Sequence, residues 1–99
     1  MNKAGLEPSV AVTARIFGHV QGVWYRAWTV EQAAKRGLDG WVRNCADGTV
    51  EALFYGPANK VSDMVEACHE GPPAAQVREI QVSPAEPPKE TGFSQVESI

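Results

Sequence analysis

Cysteine is scarce in this 99-residue chain: only Cys45 and Cys68 occur, in unlike contexts. Two cysteines do not make the disulfide framework of a small secreted scaffold, and they suit a reducing compartment as free thiols better than a Cys45–Cys68 bridge, which the sequence leaves open. With His19 and His69 they also lack the paired short spacings of a zinc site. No basic block exists. Nine Lys and Arg face twelve Asp and Glu, for a formal charge of −3. The phosphate backbone of a nucleic acid asks for a basic stripe, so nucleic-acid binding is not expected. No apolar run approaches the ~20 residues of a membrane span. The opening Met1-Asn2-Lys3-Ala4-Gly5-Leu6-Glu7-Pro8-Ser9 has no apolar segment of the secretory type. These absences point to a cytoplasmic protein without membrane or nucleic-acid partners, and its size and ordinary surface composition to a monomer. A small anion stays within reach, because a few local donors suffice for it.

What is present is one domain's worth of chain. Residues 1–9 read as a mobile polar tail and residues 10–99 as a single domain. Val10, Val12, Ala14 and Ile16 alternate with Ala11, Thr13, Arg15 and Phe17, which is strand periodicity ending at Gly18. From about Val23 the period becomes helical, with Val23, Ala27, Val30 and Ala34 on one face and Ala33 beside them. Gly37 then suits the left-handed position that ends a helix.

Trp41–Ala46 and Thr49–Tyr55 read as strands joined at Asp47-Gly48, the dipeptide favoured in type I′ hairpin turns. A second helix starts near Pro57–Asn59, carries the stripe Val61, Met64, Val65, Cys68, and stops at Gly71-Pro72-Pro73. Val77, Ile80 and Val82 mark another strand. Ser83–Gly92 is a Pro-rich loop, and Phe93–Val96 reads as a short final strand of unset register. The order β-α-β-β-α-β is that of an α+β, ferredoxin-like sandwich: a four-stranded antiparallel sheet with two helices on one face. That fold hosts many functions and decides none.

The chemistry lies in two stretches. Gly18-His19-Val20-Gln21-Gly22-Val23-Trp24-Tyr25-Arg26 leads from a strand into a helix. Glycines there let successive N–H groups converge, the helix adds its positive end, and an arginine one turn in offers a bidentate fork. A phosphate or sulfate fits such a loop. The same spacing also describes a glycine-containing turn followed by a solvated arginine. In the second stretch, Asn44 lies in a strand three residues before the turn, where asparagine is disfavoured. Its amide could fix a water molecule or satisfy a local backbone group.

Gly18-x-Val20-Gln21-Gly22-Val23-x-Tyr25-Arg26 resembles the first signature of the acylphosphatase family. Gly40-Trp41-Val42-Arg43-Asn44, followed by Gly48-x-Val50 and Gly56, resembles the second. The likeness spans roughly residues 10–97. It departs at Tyr25, where phenylalanine is more usual, and at a C-terminus unlike the tyrosine-ended tails of many members. The resemblance implies metal-independent hydrolysis of small acyl phosphates to a carboxylate and inorganic phosphate, with no cofactor. Arg26 would hold the phosphoryl oxygens, Asn44 would orient the attacking water, and backbone N–H groups of His19, Val20, Gln21, Gly22 and Val23 would cradle the phosphate. His19 otherwise reads as a solvent-facing side chain, Asp47 as a turn residue, and Trp24, Trp28 and Trp41 as packing or rim residues.

Overall fold

Alternation in the first strand decides which side of the sheet is covered. In the computed structural model, which describes residues 7–99, β1 runs Ser9–His19 and turns Ala14 and Ile16 fully inward. The register sets Ala14 opposite Ala52 and Ile16 opposite Val50 of β3, Val50–Pro57. β2, Asp39–Asn44, adds Val42 opposite Ala52. Helix α1, Tyr25–Lys35, and helix α2, Ala58–Cys68, bury Tyr25, Ala33, Val61, Met64 and Cys68 into that same cluster. Both helices therefore cover one face, as the ferredoxin-like pattern requires. The other face carries an ion-pair network: Arg15 reaches Asp47 at 3.6 Å and Glu51 at 3.8 Å, and Arg43 reaches Glu51 at 2.9 Å.

The strand order is β4-β1-β3-β2-β5, with β4 at Gln76–Pro84 and β5 at Phe93–Gln95. The four strands of the expected sheet pair antiparallel, and the short strand read at Phe93–Val96 joins them as β5, parallel to β2. Gly40 explains how it docks. A Cβ there would stand 1.8 Å from the Leu53 carbonyl oxygen and 3.1 Å from the Phe93 ring. The bare glycine leaves room for Phe93, paired with Gly40, to stack on Phe54 at a centroid distance of 5.5 Å. An aromatic covering a strand glycine is a recurrent way to pin register. Beyond β5 the chain keeps following β2, Val96 N–H donating to Val42 and Ile99 N–H to Asn44.

Two local expectations change, in α1 and in the β2–β3 hairpin. Of the tail expected over 1–9, residues 1–6 lie outside the described residues. Next to them the Pro8 carbonyl accepts from Ala58 N–H and the Glu7 carboxylate from Asn59 N–H, which caps the start of α2. The buried face of α1 is Tyr25, Thr29 and Ala33, while Ala27 and Ala34 are exposed. Thr29 can be buried because its hydroxyl donates to the Tyr25 carbonyl one turn back. The β2–β3 hairpin is not a two-residue type I′ turn. Gly48 N–H closes on the Cys45 carbonyl, and of the two turn residues Asp47 and Gly48 only Gly48 has positive φ. The Asp47 carboxylate accepts from the Thr49 N–H and hydroxyl, which stabilises the wider turn.

Candidate active site

The connection between β1 and α1 is held by alternating anchors. Val20 and Val23 sink into the core, and the Gln21 amide donates to the carbonyls of Cys45 and Thr49, both at 2.9 Å. The loop is thereby tied to the hairpin turn that follows Asn44. Between these anchors Gly22 takes φ 76° and Trp24, the residue capping α1, takes φ 68° and ψ 21°. Glycine adopts that region freely; for a tryptophan it costs about 1–2 kcal/mol.

This path leaves donors unspent. Among the described residues no N–H from Gln21 to Ala27 reaches a backbone carbonyl, and no side chain of the cap residue accepts from the first turn. Free N–H groups at a helix N-terminus favour an anion. Arg26, half-buried in the first turn, adds the charge. Arg15, Arg36 and Arg43 each pair with a carboxylate, whereas Arg26, like Arg78 on β4, pairs with none among the described residues.

Val20, Gly22, Trp24, Tyr25, Arg26, Ala27, Asn44 and Gln95 line one cleft of about 470 Å³. Of the side chains expected from the sequence, the structure brings Arg26 and Asn44 together there, with Val20 and Gly22. His19 is not in the lining: a bulge at Phe17/Gly18 extends β1 through His19, which pairs with Gln76 and is exposed. Gln21 and Val23 turn their side chains to the hairpin and the core, leaving only their main chain for a ligand. Asn44 is the last residue of β2, half-buried, its main chain paired with Val50.

Two lining residues had no functional signal in the sequence. Trp24 read as packing or rim; it is a rim residue, with 81% of its surface exposed. Gln95 arrives through the parallel pairing of Gln95 with Val42, which no local pattern announces. Below the cleft, the Tyr25 hydroxyl donates to the Cys68 carbonyl, and burial, with Cys68 nearby, pushes its ionisation well above the usual tyrosine range. The Cys68 thiol is likewise pushed up by burial, to about 12, and stays protonated. Both cysteines are free. Among the described residues, no three His, Cys, Asp or Glu side chains could jointly hold a metal ion, and no helix is long and apolar enough to cross a membrane.

Fold and cleft define an α+β ferredoxin-like domain whose strand–helix loop shares a cleft with a strand asparagine. The acylphosphatase family model matches residues 12–95. An acylphosphatase of Rhodospirillum rubrum is 59% identical over 85 residues, 86% of this chain and 93% of that protein. One of Rhizorhabdus wittichii is 48% identical over 99 residues, the whole of both chains. The crystal structure of acylphosphatase from Bacillus subtilis superposes with a TM-score of 0.83 at 38% identity, covering 88% of this chain and 98% of that one. The chain belongs to the acylphosphatase family, enzymes that hydrolyse acyl phosphates.

Proposed function

We propose that this member hydrolyses small acyl phosphates to a carboxylate and inorganic phosphate without a metal, Arg26 holding the phosphoryl group and Asn44 the attacking water. The observation that carries this reading is the shared cleft: an unpaired guanidinium, free loop N–H groups and a strand amide converge on one space. The N–H groups of Gln21, Gly22 and Val23, with Val20 beside them, would cradle the phosphate; His19 would do so only through its main chain. Inorganic phosphate or sulfate would occupy the same place.

The chemistry needs little more. The leaving group is a carboxylate whose conjugate acid has a pKa near ~4, so it departs without a general acid. Phosphoryl transfer depends mainly on positioning and on stabilising charge on the equatorial oxygens. The Gln21 tether and the buried Val20 and Val23 fix the loop dipoles before the substrate arrives, so the dipoles cost no reorganisation when the bond breaks. The phosphoryl oxygens themselves can take the water's proton, which accounts for a lining without Asp, Glu or His. Two free buried thiols support a reducing, cytoplasmic setting. A monomeric state belongs to the same proposal.

The test is turnover of benzoyl phosphate in EDTA by the wild type, Arg26→Ala and Asn44→Ala. Losing one preorganised group of this kind lowers kcat by roughly 10²–10³. Activity in the wild type with a loss of that order in both variants supports the two roles. Folded wild-type protein without turnover in EDTA overturns the metal-free reading, and full activity in either variant removes that residue's role.

A further inference from the structure

We propose that Trp24 is the acyl-binding surface of the cleft, and that the preferred substrate carries a flat, uncharged acyl group, as an aroyl phosphate does. This rests on the reading of Arg26 and the 18–26 loop as the phosphate site, and extends it to the other half of the substrate.

Three observations converge. Trp24 keeps 81% of its surface in solvent, whereas Trp28 and Trp41 are partly buried. A ring of that size left in water at the edge of a cleft retains nearly all of its burial free energy for a ligand. Its neighbours Val23 and Tyr25 are 7% and 1% exposed, so the chain is clamped on both sides and the indole is held outward. The clamp also forces φ 68° on a residue type that rarely adopts it. Local rules tend to be broken in this way at working sites.

The wall chemistry sets the second half of the proposal. Arg26 and Tyr25 are the lining's ionisable side chains, and the Tyr25 hydroxyl is already committed to the Cys68 carbonyl. Once Arg26 meets the phosphoryl group, an acyl group bearing its own carboxylate, phosphate or ammonium finds no partner there. Such a charge gives up part of its hydration beside the indole and gains no ion pair in return. Gln95 and Ala27 complete the wall, the first offering a neutral amide within the cleft for the acyl carbonyl. A flat acyl group lies against the indole face with its anhydride oxygen towards Arg26. Acetyl phosphate fits the same place but leaves most of the indole uncovered.

The experiment compares benzoyl with acetyl in two ways: kcat/KM for the two acyl phosphates, and calorimetric affinity for benzoylphosphonate and acetylphosphonate, whose C–P bond does not hydrolyse. The variants are Trp24→Asn, which removes the ring while accommodating the left-handed backbone, and Trp24→Phe, which keeps a ring. An aromatic contact of this kind is worth roughly a three- to tenfold preference. The benzoyl-to-acetyl ratio should fall by that factor in Trp24→Asn and stay within about twofold of wild type in Trp24→Phe. A ratio unchanged in Trp24→Asn overturns the assignment of Trp24, whatever happens to overall turnover. If the wild type hydrolyses neither substrate while the phosphonate ratio falls as expected, the hydrolytic reading fails and the ligand class stands.

Discussion

Replacing Tyr25 by phenylalanine removes one oxygen atom and tests how the first turn of α1 is held in place. The ring is 1% exposed, packs against Trp28 at 5.4 Å between centroids, and closely abuts Gly71, where a Cβ would stand 2.6 Å from its Cε2. Phenylalanine preserves all of that packing. What it loses is the hydroxyl's bond to the Cys68 carbonyl at the end of α2, and among the described residues no backbone N–H reaches that carbonyl. The loss is thus the bond plus the cost of a buried acceptor left without a partner, about 1–3 kcal/mol. For a domain of this size each kcal/mol moves the melting midpoint by roughly 4–8 °C. A drop of at least about 5 °C is expected in a calorimetric melt at neutral pH. The high-pH limb gives an independent check. Burial raises the hydroxyl's ionisation above its ordinary 10.0 in the folded chain, so its contribution is complete below that value and is lost as pH rises beyond it. Tyr25→Phe should therefore flatten the alkaline loss of stability. A midpoint that rises or shifts by less than about 1 °C, with an unchanged alkaline limb, would refute the argument that this hydroxyl anchors α1 to α2.

The Gln21 tether gives a contrasting case, because its two acceptors keep other partners: the Cys45 carbonyl also accepts from Gly48 N–H and the Thr49 carbonyl from Cys45 N–H. Gln21→Met should cost only the two net bonds, about 1–3 kcal/mol by urea denaturation, and raise KM for benzoyl phosphate more than it lowers kcat; stability equal to wild type would show the tether idle. The Asp47 carboxyl is held below the usual carboxylate range by the Thr49 hydroxyl and N–H, with Arg15 assisting. Its contribution is therefore present above the ordinary carboxylate value and is lost as pH falls through the lowered one. Asp47→Asn should flatten the decline of melting temperature between neutral and acid pH, and an unaltered slope would contradict this.

How much of this was legible in the sequence depended on whether the determining contact was local. β1 and α2 could be read because their buried residues, Ala14 and Ile16 in one, Val61, Met64 and Cys68 in the other, are apolar and keep the element's own period. In α1 the period is carried by Tyr25, Thr29 and Ala33, and a buried threonine enters no apolar count; the alanines that did enter it, Ala27 and Ala34, face solvent. The turn after Asn44 misled for a related reason. Asp47-Gly48 fits a type I′ turn by composition, but the Asp47 side chain bonds to Thr49, and the strands stop at Asn44 and resume at Val50, so Cys45, Ala46 and Thr49 join the loop. β5 could be suspected as a strand, yet its parallel pairing depends on Phe93 finding the bare backbone of Gly40, some fifty residues earlier in the chain.

The candidate site divides along the same line. Arg26 and Asn44 stand inside contiguous motifs, so the sequence alone names both. What joins them is long-range: the Gln21 amide ties the loop to the hairpin, and β5 brings Gln95 to the same space. Trp24 shows why such a site resists local reading. A bulky residue in the left-handed region, exposed and without a capping bond, violates backbone preference, burial preference and capping preference at one position. The folded chain tolerates the violation because Val20, Val23 and Tyr25 are buried around it and offset its cost. The core beneath the loop is thus what keeps Gly22, Arg26 and the exposed indole of Trp24 on one cleft, with loop N–H groups and a guanidinium that find no partner among the described residues.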